Sequence, residues 1–266
     1  MKNLAIIPAR GGSKRIPRKN IKLFMGKPII AYSIEAAMDS GIFDKIMVST
    51  DDIEIAEVAR FYGAEVPFLR SQLTSDDYST TVDVLLEVIY QYETLNMFFD
   101  NACCIYSTAP FVTCDNLREA LNLQTEKDYD SVFSTVQYSY PIQRALKKEG
   151  EKVAMLWPEY LNSRSQDLEP TFHDAGQFYS FNVVKFKKSK RLWTDNSGTI
   201  LLSELQVQDL DTLTDWEIAE IKYELIRNRI KSIWLLSNKY LDDYNSVWGE
   251  LFLEQMRVKV SDMDIL

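Results

Sequence analysis

Histidine is almost missing: His173 is the sole imidazole in 266 residues. One imidazole cannot build a multi-histidine zinc site, and it ties any Ser-His-Asp chemistry to a single position. Cysteine is scarce and odd in number, at Cys103, Cys104 and Cys114, with the first two inside an apolar run. Such thiols fit a reduced, cytoplasmic protein, and no Cys/His spacing typical of a metal site is present. No apolar run reaches the roughly 18 residues of a membrane span, so none is expected. The chain enters a strand almost at once, which leaves no room for a signal peptide. Neither G-x-x-x-x-G-K-[ST] nor G-x-G-x-x-G occurs, which excludes a Walker loop and a dinucleotide fingerprint.

Positive charge is in deficit too, with 30 basic against 39 acidic residues and a net charge of −9. The cations that exist are unevenly placed. Six of the thirteen positions from Arg10 to Lys22 are Lys or Arg. Without them, 24 basic residues face 39 acidic ones, a balance of −15. A dense cationic segment on an acidic protein needs a local anionic partner to offset its self-repulsion. Nucleic acid is a poor partner, because the acidic remainder would repel a long phosphate backbone. A single nucleotide suits it better.

The cationic segment follows Leu4-Ala5-Ile6-Ile7, which reads as a buried strand. It therefore sits at a strand's carboxyl end, where open α/β sheets bind ligands. Gly11-Gly12 permits positive φ and close backbone approach, so several N–H groups can converge on one anion. Pro8 and Pro17 stiffen the flanks. The ligand this pattern predicts is a polyphosphate.

Hydrophobic residues at 46% and charged residues at 26% are ordinary for a globular protein, and the length suits one large α/β domain. Strands are expected at Leu4–Ile7, Lys45–Ser49, Glu65–Phe68, Ala102–Tyr106, Ser131–Val136, Gln177–Val184 and Val207–Leu210. Helices are expected at Pro28–Ser40, Asp52–Tyr62, Thr80–Tyr92, Asp115–Gln124 and Asp215–Asn228. In the third of these, Val82, Leu85, Leu86 and Ile89 share a face. Alternation of this kind predicts a mostly parallel (mixed) central sheet with helices on both faces. Residues 1–228 form the main domain, interrupted by a proline-bearing excursion over 137–175. Residues 229–266 carry enough apolar content to fold as helices.

Several residues have both a chemical and a local reading. Arg70 ends the Pro67-Phe68-Leu69 stretch and either faces a ligand or pairs with Asp76 or Asp77. Ser79-Thr80-Thr81 opens a helix, so at least one hydroxyl is an N-cap. Asp51 with Glu54 forms a plausible helix cap. In Asp209-Leu210-Asp211, alternation places both carboxylates on one side of an extended segment. Like charges so close are costly unless a cation lies beside them, and Mg²⁺ takes one or two carboxylates with phosphate oxygens. Asp215 reads as a cap of the following helix. His173 reads as a structural hydrogen-bonding residue.

The string Ile7-Pro8-Ala9-Arg10-Gly11-Gly12-Ser13-Lys14 through Ile16-Pro17-Arg18-Lys19-Asn20 resembles the signature of the acylneuraminate cytidylyltransferase family, which makes CMP-activated acidic sugars. The resemblance spans about residues 2–228. It implies a Rossmann-like nucleotidyltransferase fold with a small dimerisation arm, a homodimer, and CTP as nucleotide. It assigns Ala9, Arg10, Gly11, Gly12, Ser13, Lys14, Lys19, Asn20, Arg70, Ser79 and Thr80 to the nucleotide. Arg10, Lys14 and Lys19 would stabilise the leaving phosphates, and Asp209 and Asp211 would hold Mg²⁺. Arg164, Gln166, Gln177 and Tyr179 fall at the sugar site, where a guanidinium suits the carboxylate of a 2-keto acid. No general base stands out: either the metal acidifies the attacking hydroxyl or Asp211 accepts its proton.

Tyr106-Ser107-Thr108-Ala109-Pro110-Phe111 stands where sialic acid activators read Q-P-T-S-P-L. Together with Tyr140-Pro141-Ile142-Gln143-Arg144, this form is similar to the family's pseudaminic acid branch. The implied acceptor is a nine-carbon acidic sugar, pseudaminic acid ahead of N-acetylneuraminic or legionaminic acid. A nucleotide-binding protein without catalysis is the alternative from another class; an intact acidic pair argues against it.

Overall fold

The computed structural model describes residues 1–76 and 78–243, with side chains as far as residue 229. Strand β1 (Asn3–Pro8) starts the central sheet. The small hairpin strands β2 (Leu23–Phe24) and β3 (Lys27–Pro28) precede helix α1 (Ile29–Ser40), which ends at Gly41 in the left-handed region. Then come β4 (Lys45–Ser49), α2 (Ile53–Phe61), α3 (Thr81–Thr94), β5 (Asn101–Ile105), α4 (Cys114–Glu126) and β6 (Ser131–Gln137). The excursion carries a second hairpin, β7 (Leu146–Glu149) and β8 (Lys152–Met155). The chain returns as β9 (Phe172–Asn182), α5 (Val183–Ser189) and β10 (Ser197–Leu202), and ends its described part in α6 (Leu213–Asp243).

The sheet order is β10-β6-β9-β5-β1-β4. Pairings β1–β4, β1–β5 and β10–β6 are parallel, while β9 runs antiparallel between β5 and β6. The sheet is therefore mixed through one strand. Alternation along each strand feeds two apolar layers. Ala5, Ile7, Cys103 and Ile105 meet α1, α2 and α4 on one face. Leu4, Ile6, Ala102 and Cys104 meet α3 and α5 on the other. Both layers are fully buried, as a parallel sheet covered on two faces requires.

Several expectations need correction. Glu65–Phe68 forms no strand; a single bridge joins Glu65 to Met47. Val207–Leu210 pairs with no strand among the described residues; Leu210 packs into an apolar cluster instead. The buried face of α3 is Val84, Leu85, Val88, Ile89 and Tyr92, with Val82 and Leu86 at its edges. The cap of α2 is Asp52, which accepts from Ile55 N at 3.0 Å, whereas Asp51 turns back to accept from Gly11 N at 2.9 Å. Thr80 does cap α3, in a reciprocal pair with Asp83. Helix α5 and strand β10 were not anticipated.

The excursion leaves the sheet at Gln137 and re-enters opposite it at Phe172, where those two residues pair. Its last residues thus belong to β9. Its hairpin turns at Gly150, whose φ of 63° suits a residue without Cβ. Strand β7 is exposed throughout, and β8 nearly so. Helix α6 runs unbroken across the expected boundary at residue 228 as far as Asp243; residues 244–266 lie outside the described residues. Among the described residues no helix is long and apolar enough to cross a membrane.

Candidate active site

Strand β1 has β4 on one side and β5 on the other, so the chain reverses its winding direction there. Ligands in open α/β sheets bind outside the carboxyl ends of strands at such a point. A cleft of about 500 Å³ opens there. One wall is the cationic loop, through Arg10, Ser13, Lys14, Arg15, Lys19 and Asn20. The opposite wall contains Arg70, Thr74, Asp76, Ser79 and Thr81, and Tyr106 and Thr108 from the end of β5 line it as well.

The loop is held by specific bonds. Buried Ala9 donates its N–H to Ser49 O at 2.9 Å, continuing the β1–β4 pairing one residue further. Buried Asn20 donates Nδ2 to Arg10 O at 2.8 Å. Ser107 Oγ lies 2.9 Å from Asn20 Oδ1 and 2.8 Å from Pro8 O, so Asn20 braces the loop against the end of β5. Gly11 is required for space rather than for positive φ. A Cβ there would sit 2.6 Å from Asp52 Oδ2, whereas one on Gly12 would meet nothing within 4 Å. The positive φ in this loop belongs to Arg18, at 56°, whose guanidinium pairs with Asp52 and Glu54. That pairing holds the Asp52 carboxyl below the usual carboxylate range.

Arg70 is buried rather than a surface ion pair. Its Nε donates to Ser49 Oγ at 3.1 Å and its Nη2 to Ser49 O at 2.5 Å. Burial lowers its pKa, partly opposed by Asp51 and Glu87. Arg10 spans the cleft, donating Nη1 to Asp76 O at 3.0 Å. Ser79 is occupied locally, donating its N–H and hydroxyl to Asp76 Oδ1 at 2.7 and 2.6 Å.

Leu210 is buried with Ile16, Phe24, Phe111 and Trp216. Phe24 meets Tyr32, Trp216 and Tyr223 edge-on at 5.5, 5.6 and 5.5 Å, a favoured aromatic geometry. This cluster docks the start of α6 against the cationic loop. Asp209 is exposed and Asp211 partly buried on either side of buried Leu210. Lys19 is half-buried between the two segments. Desolvation lowers its pKa, and Asp211 and Asp209 pull in the opposite direction. Asp211 Oδ2 lies 2.5 Å from Arg15 Nη1. The cap of α6 is Thr212, whose Oγ1 accepts from Asp215 N at 3.2 Å; Asp215, expected as the cap, sits inside the first turn and accepts from Thr212 Oγ1 at 2.8 Å and Thr212 N at 2.7 Å, bonds that lower its pKa.

The residues assigned to the sugar are not gathered at this cleft. Tyr179 is buried, donates its hydroxyl to Asp174, stacks on Phe133 at 5.8 Å and meets Tyr106 edge-on at 5.7 Å. Tyr106, pushed up to about 12 by burial, lies 3.1 Å from Thr81 Oγ1 through its hydroxyl. Gln177 is buried too; its Nε2 donates to Gln206 O, and its Oε1 meets no hydrogen-bond partner among the described residues. Arg164 pairs with Asp167 on the exposed arm at 2.7 Å. Gln166 lines a second cavity of about 340 Å³ with Tyr138, Ser165 and Glu169. His173 has Nδ1 2.9 Å from Asp174 O and its ring 4.7 Å from that of Tyr138. Sequence reasoning counted Arg15 as charge but gave it no role, and it left Thr81 with the caps. A hydroxyl next to a cap, aimed at Tyr106, has no local signature.

The profile described as cytidylyltransferase matches residues 4–222. The chain belongs to the cytidylyltransferase family. The pseudaminic acid cytidylyltransferase of Campylobacter jejuni (serotype O:2) is 44% identical over 226 residues, covering 85% of this chain and 97% of that protein. The CMP-N,N'-diacetyllegionaminic acid synthase of Legionella pneumophila is 34% identical, with 85% and 97% covered. The N-acylneuraminate cytidylyltransferase A of Danio rerio is 36% identical over 81% of this chain and 49% of that protein. Among solved structures, CMP:2-keto-3-deoxy-manno-octonic acid synthetase complexed with CTP superposes with a TM-score of 0.61 at 16% identity, covering 86% of this chain and 100% of that one. That likeness shows the nucleotidyltransferase fold. In this cytidylyltransferase, the cationic loop and the acidic Asp209–Asp211 segment meet at one end of the sheet, joined through Lys19.

Proposed function

We propose that this cytidylyltransferase moves CMP from CTP onto the C2 hydroxyl of a nine-carbon acidic keto-sugar, with pseudaminic acid as acceptor and pyrophosphate as leaving group. The convergence of Arg10, Lys14 and Lys19 with the Asp209–Asp211 segment carries the reading. In it, Arg10, Lys14 and Lys19 stabilise charge building on the departing phosphates. Backbone groups of Ala9, Gly11, Gly12 and Ser13 form the cradle, and Asn20 keeps it in place. Arg70, Ser79 and Thr80 stand at the nucleoside end, where Arg70's bonds to Ser49 fix its orientation. Buried free thiols at Cys103, Cys104 and Cys114 support a cytoplasmic location.

Asp209 and Asp211 fit Mg²⁺ by donor chemistry: hard carboxylate oxygens on the two residues that flank buried Leu210. Among the described residues no cluster of three or more His, Cys, Asp or Glu side chains is present, so nucleotide oxygens and water would complete the shell. Bound there, Mg²⁺ would supply Lewis-acid polarisation of the α-phosphate.

Arg164 and Gln166 lie on the arm, away from the cleft lining of their own chain. In this reading they serve a second subunit's cleft, giving a homodimer with two composite sites. Tyr140, Leu146, Val153 and Leu161 support that arrangement, being large apolar groups left exposed on the arm. Gln177 and Tyr179 act from beneath, shaping the wall that carries Tyr106. The graded identity among relatives favours pseudaminic acid.

Pyrophosphate release from CTP with pseudaminic, legionaminic and N-acetylneuraminic acids tests the proposal. Pseudaminic acid is expected to lead in kcat/KM by about tenfold or more, the scale of a single polar or apolar group in a pocket. A preference for N-acetylneuraminic acid would overturn the acceptor assignment. CTP binding with no release for any of the three acids would favour a non-catalytic role.

A further inference from the structure

Arg15 has no role in the scheme above, yet its Nη1 lies 2.5 Å from Oδ2 of Asp211, a carboxylate that scheme gives to the metal. Its side chain also lines the phosphate cleft beside Arg10, Lys14 and Lys19. A guanidinium and a divalent cation held on one carboxylate repel each other, so a metal taken up by Asp211 favours release of Arg15. The two basic neighbours of Asp211 differ in their freedom to move. Lys19 is half-buried and anchored by Nζ to Leu210 O at 2.8 Å. The Arg15 side chain is 67% exposed, and that of Asp211 34%. A pair this exposed is weak and exchangeable. Arg15 feels like charge from its neighbours: both it and Arg10 lower the pKa of Lys19. In an empty cleft that repulsion favours the carboxylate. A triphosphate reverses the balance, because a guanidinium grips phosphate oxygens with two parallel hydrogen bonds.

We infer that Arg15 is the internal counter-cation of Asp211, holding the carboxylate while the cleft is empty and exchanging it for the triphosphate when nucleotide enters. Free divalent cation therefore binds poorly, and metal and nucleotide bind cooperatively. By linkage, each raises the affinity of the other by the same factor. This inference rests on the proposed metal role of Asp211.

The test is a Mn²⁺ titration of the full-length protein, following the EPR signal of free Mn²⁺, with and without CTP and with no sugar present. Without nucleotide, Arg15→Gln is expected to tighten Mn²⁺ binding by about fivefold, the equilibrium equivalent of an exposed ion pair. Arg15→Lys should fall between it and the wild type. CTP should raise Mn²⁺ affinity more in the wild type than in Arg15→Gln. The gain should vanish when Asp211→Asn is added, and melting temperatures of the Arg15 variants should match the wild type. Equal Mn²⁺ affinity in wild type and Arg15→Gln, with Asp211→Asn still losing the ion, would overturn the inference and leave the metal site standing. Unimpaired Mn²⁺ binding by Asp211→Asn would instead sink the metal reading beneath it.

Discussion

Lys19 Nζ donates to the carbonyl oxygen of Leu210 at 2.8 Å. That bond ties the phosphate loop to the acidic segment, two parts of the chain far apart in sequence. It also sets Lys19 among Asp209, Asp211, Arg10 and Arg15, so one ammonium serves both structure and charge balance. Lys19→Met keeps the aliphatic stem and removes the donor. Turnover is expected to fall by about a hundredfold or more, the scale of losing a group that stabilises transition-state charge. Stability should fall by only about 1 kcal/mol, the net value of one hydrogen bond. Steady-state kinetics and a urea melt check the two parts separately.

The acidic pair should show the same separation of turnover from stability. Asp209→Asn with Asp211→Asn is nearly isosteric and leaves Leu210 in its cluster, so melting should change little. Turnover in Mg²⁺ should drop by at least about a hundredfold. Normal Mg²⁺-dependent turnover in the double variant would refute the site.

Gly11 and Gly12 are adjacent but not equivalent. Gly11→Ala drives a Cβ to within 2.6 Å of Asp52 Oδ2, at a helix cap already paired with Arg18. It should destabilise the fold by about 1–3 kcal/mol, as overpacking does, and weaken CTP binding. Gly12→Ala, with open space around it, should melt like the wild type. Calorimetry of the two variants decides whether close approach rather than left-handed backbone explains the pair.

The Arg18–Asp52 contact has a pH signature. The Asp52 carboxyl is held low in the folded state, chiefly by its hydrogen bonds to Arg18. Its contribution is thus fully present above the unfolded carboxyl value of about 3.9 and is lost as pH falls through the lower folded value. Asp52→Asn keeps a competent cap but not the charge, and should cost about 0.5–1 kcal/mol at neutral pH. The difference from wild type should shrink below about pH 4 and vanish in stronger acid. A gap that persists undiminished to pH 2 would contradict the account.

How much was legible in the sequence depended on whether a feature was local. Strands β1 and β4 are uninterrupted apolar runs between turn residues, and were placed to within a residue or two. The loop from Ala9 to Asn20 was readable because its charge, glycines and flanking strand are contiguous. Val207–Leu210 shows why alternation alone misleads: Leu210 packs into an aromatic cluster, with no strand paired to it among the described residues. Edge strand β10 leaves a weak signal because Gly198 near its start is depleted in strands and only Ile200, Leu201 and Leu202 are apolar. Arg15 facing Asp211, and Tyr106 meeting Thr81, join distant residues and leave no trace in local spacing. Tyr179 and Gln177 were readable as chemistry but not as buried, since β9 occupies the middle of the sheet.

The exposed arm is where the proposed homodimer is tested. Light scattering at assay concentration should give twice the mass of the 30.8 kDa chain. Replacing Leu146 and Val153 with Asp should yield monomers that bind CTP but turn over acidic sugar poorly. A fully active monomer would count against composite sites.

Cytidylyl transfer itself is tested most directly by giving the purified protein Mg²⁺, pseudaminic acid and each of CTP, UTP, ATP and GTP in turn. CTP alone should release pyrophosphate rapidly, with one CMP-sugar formed per pyrophosphate. Comparable turnover with UTP, or pyrophosphate released without a CMP-sugar, would contradict the account.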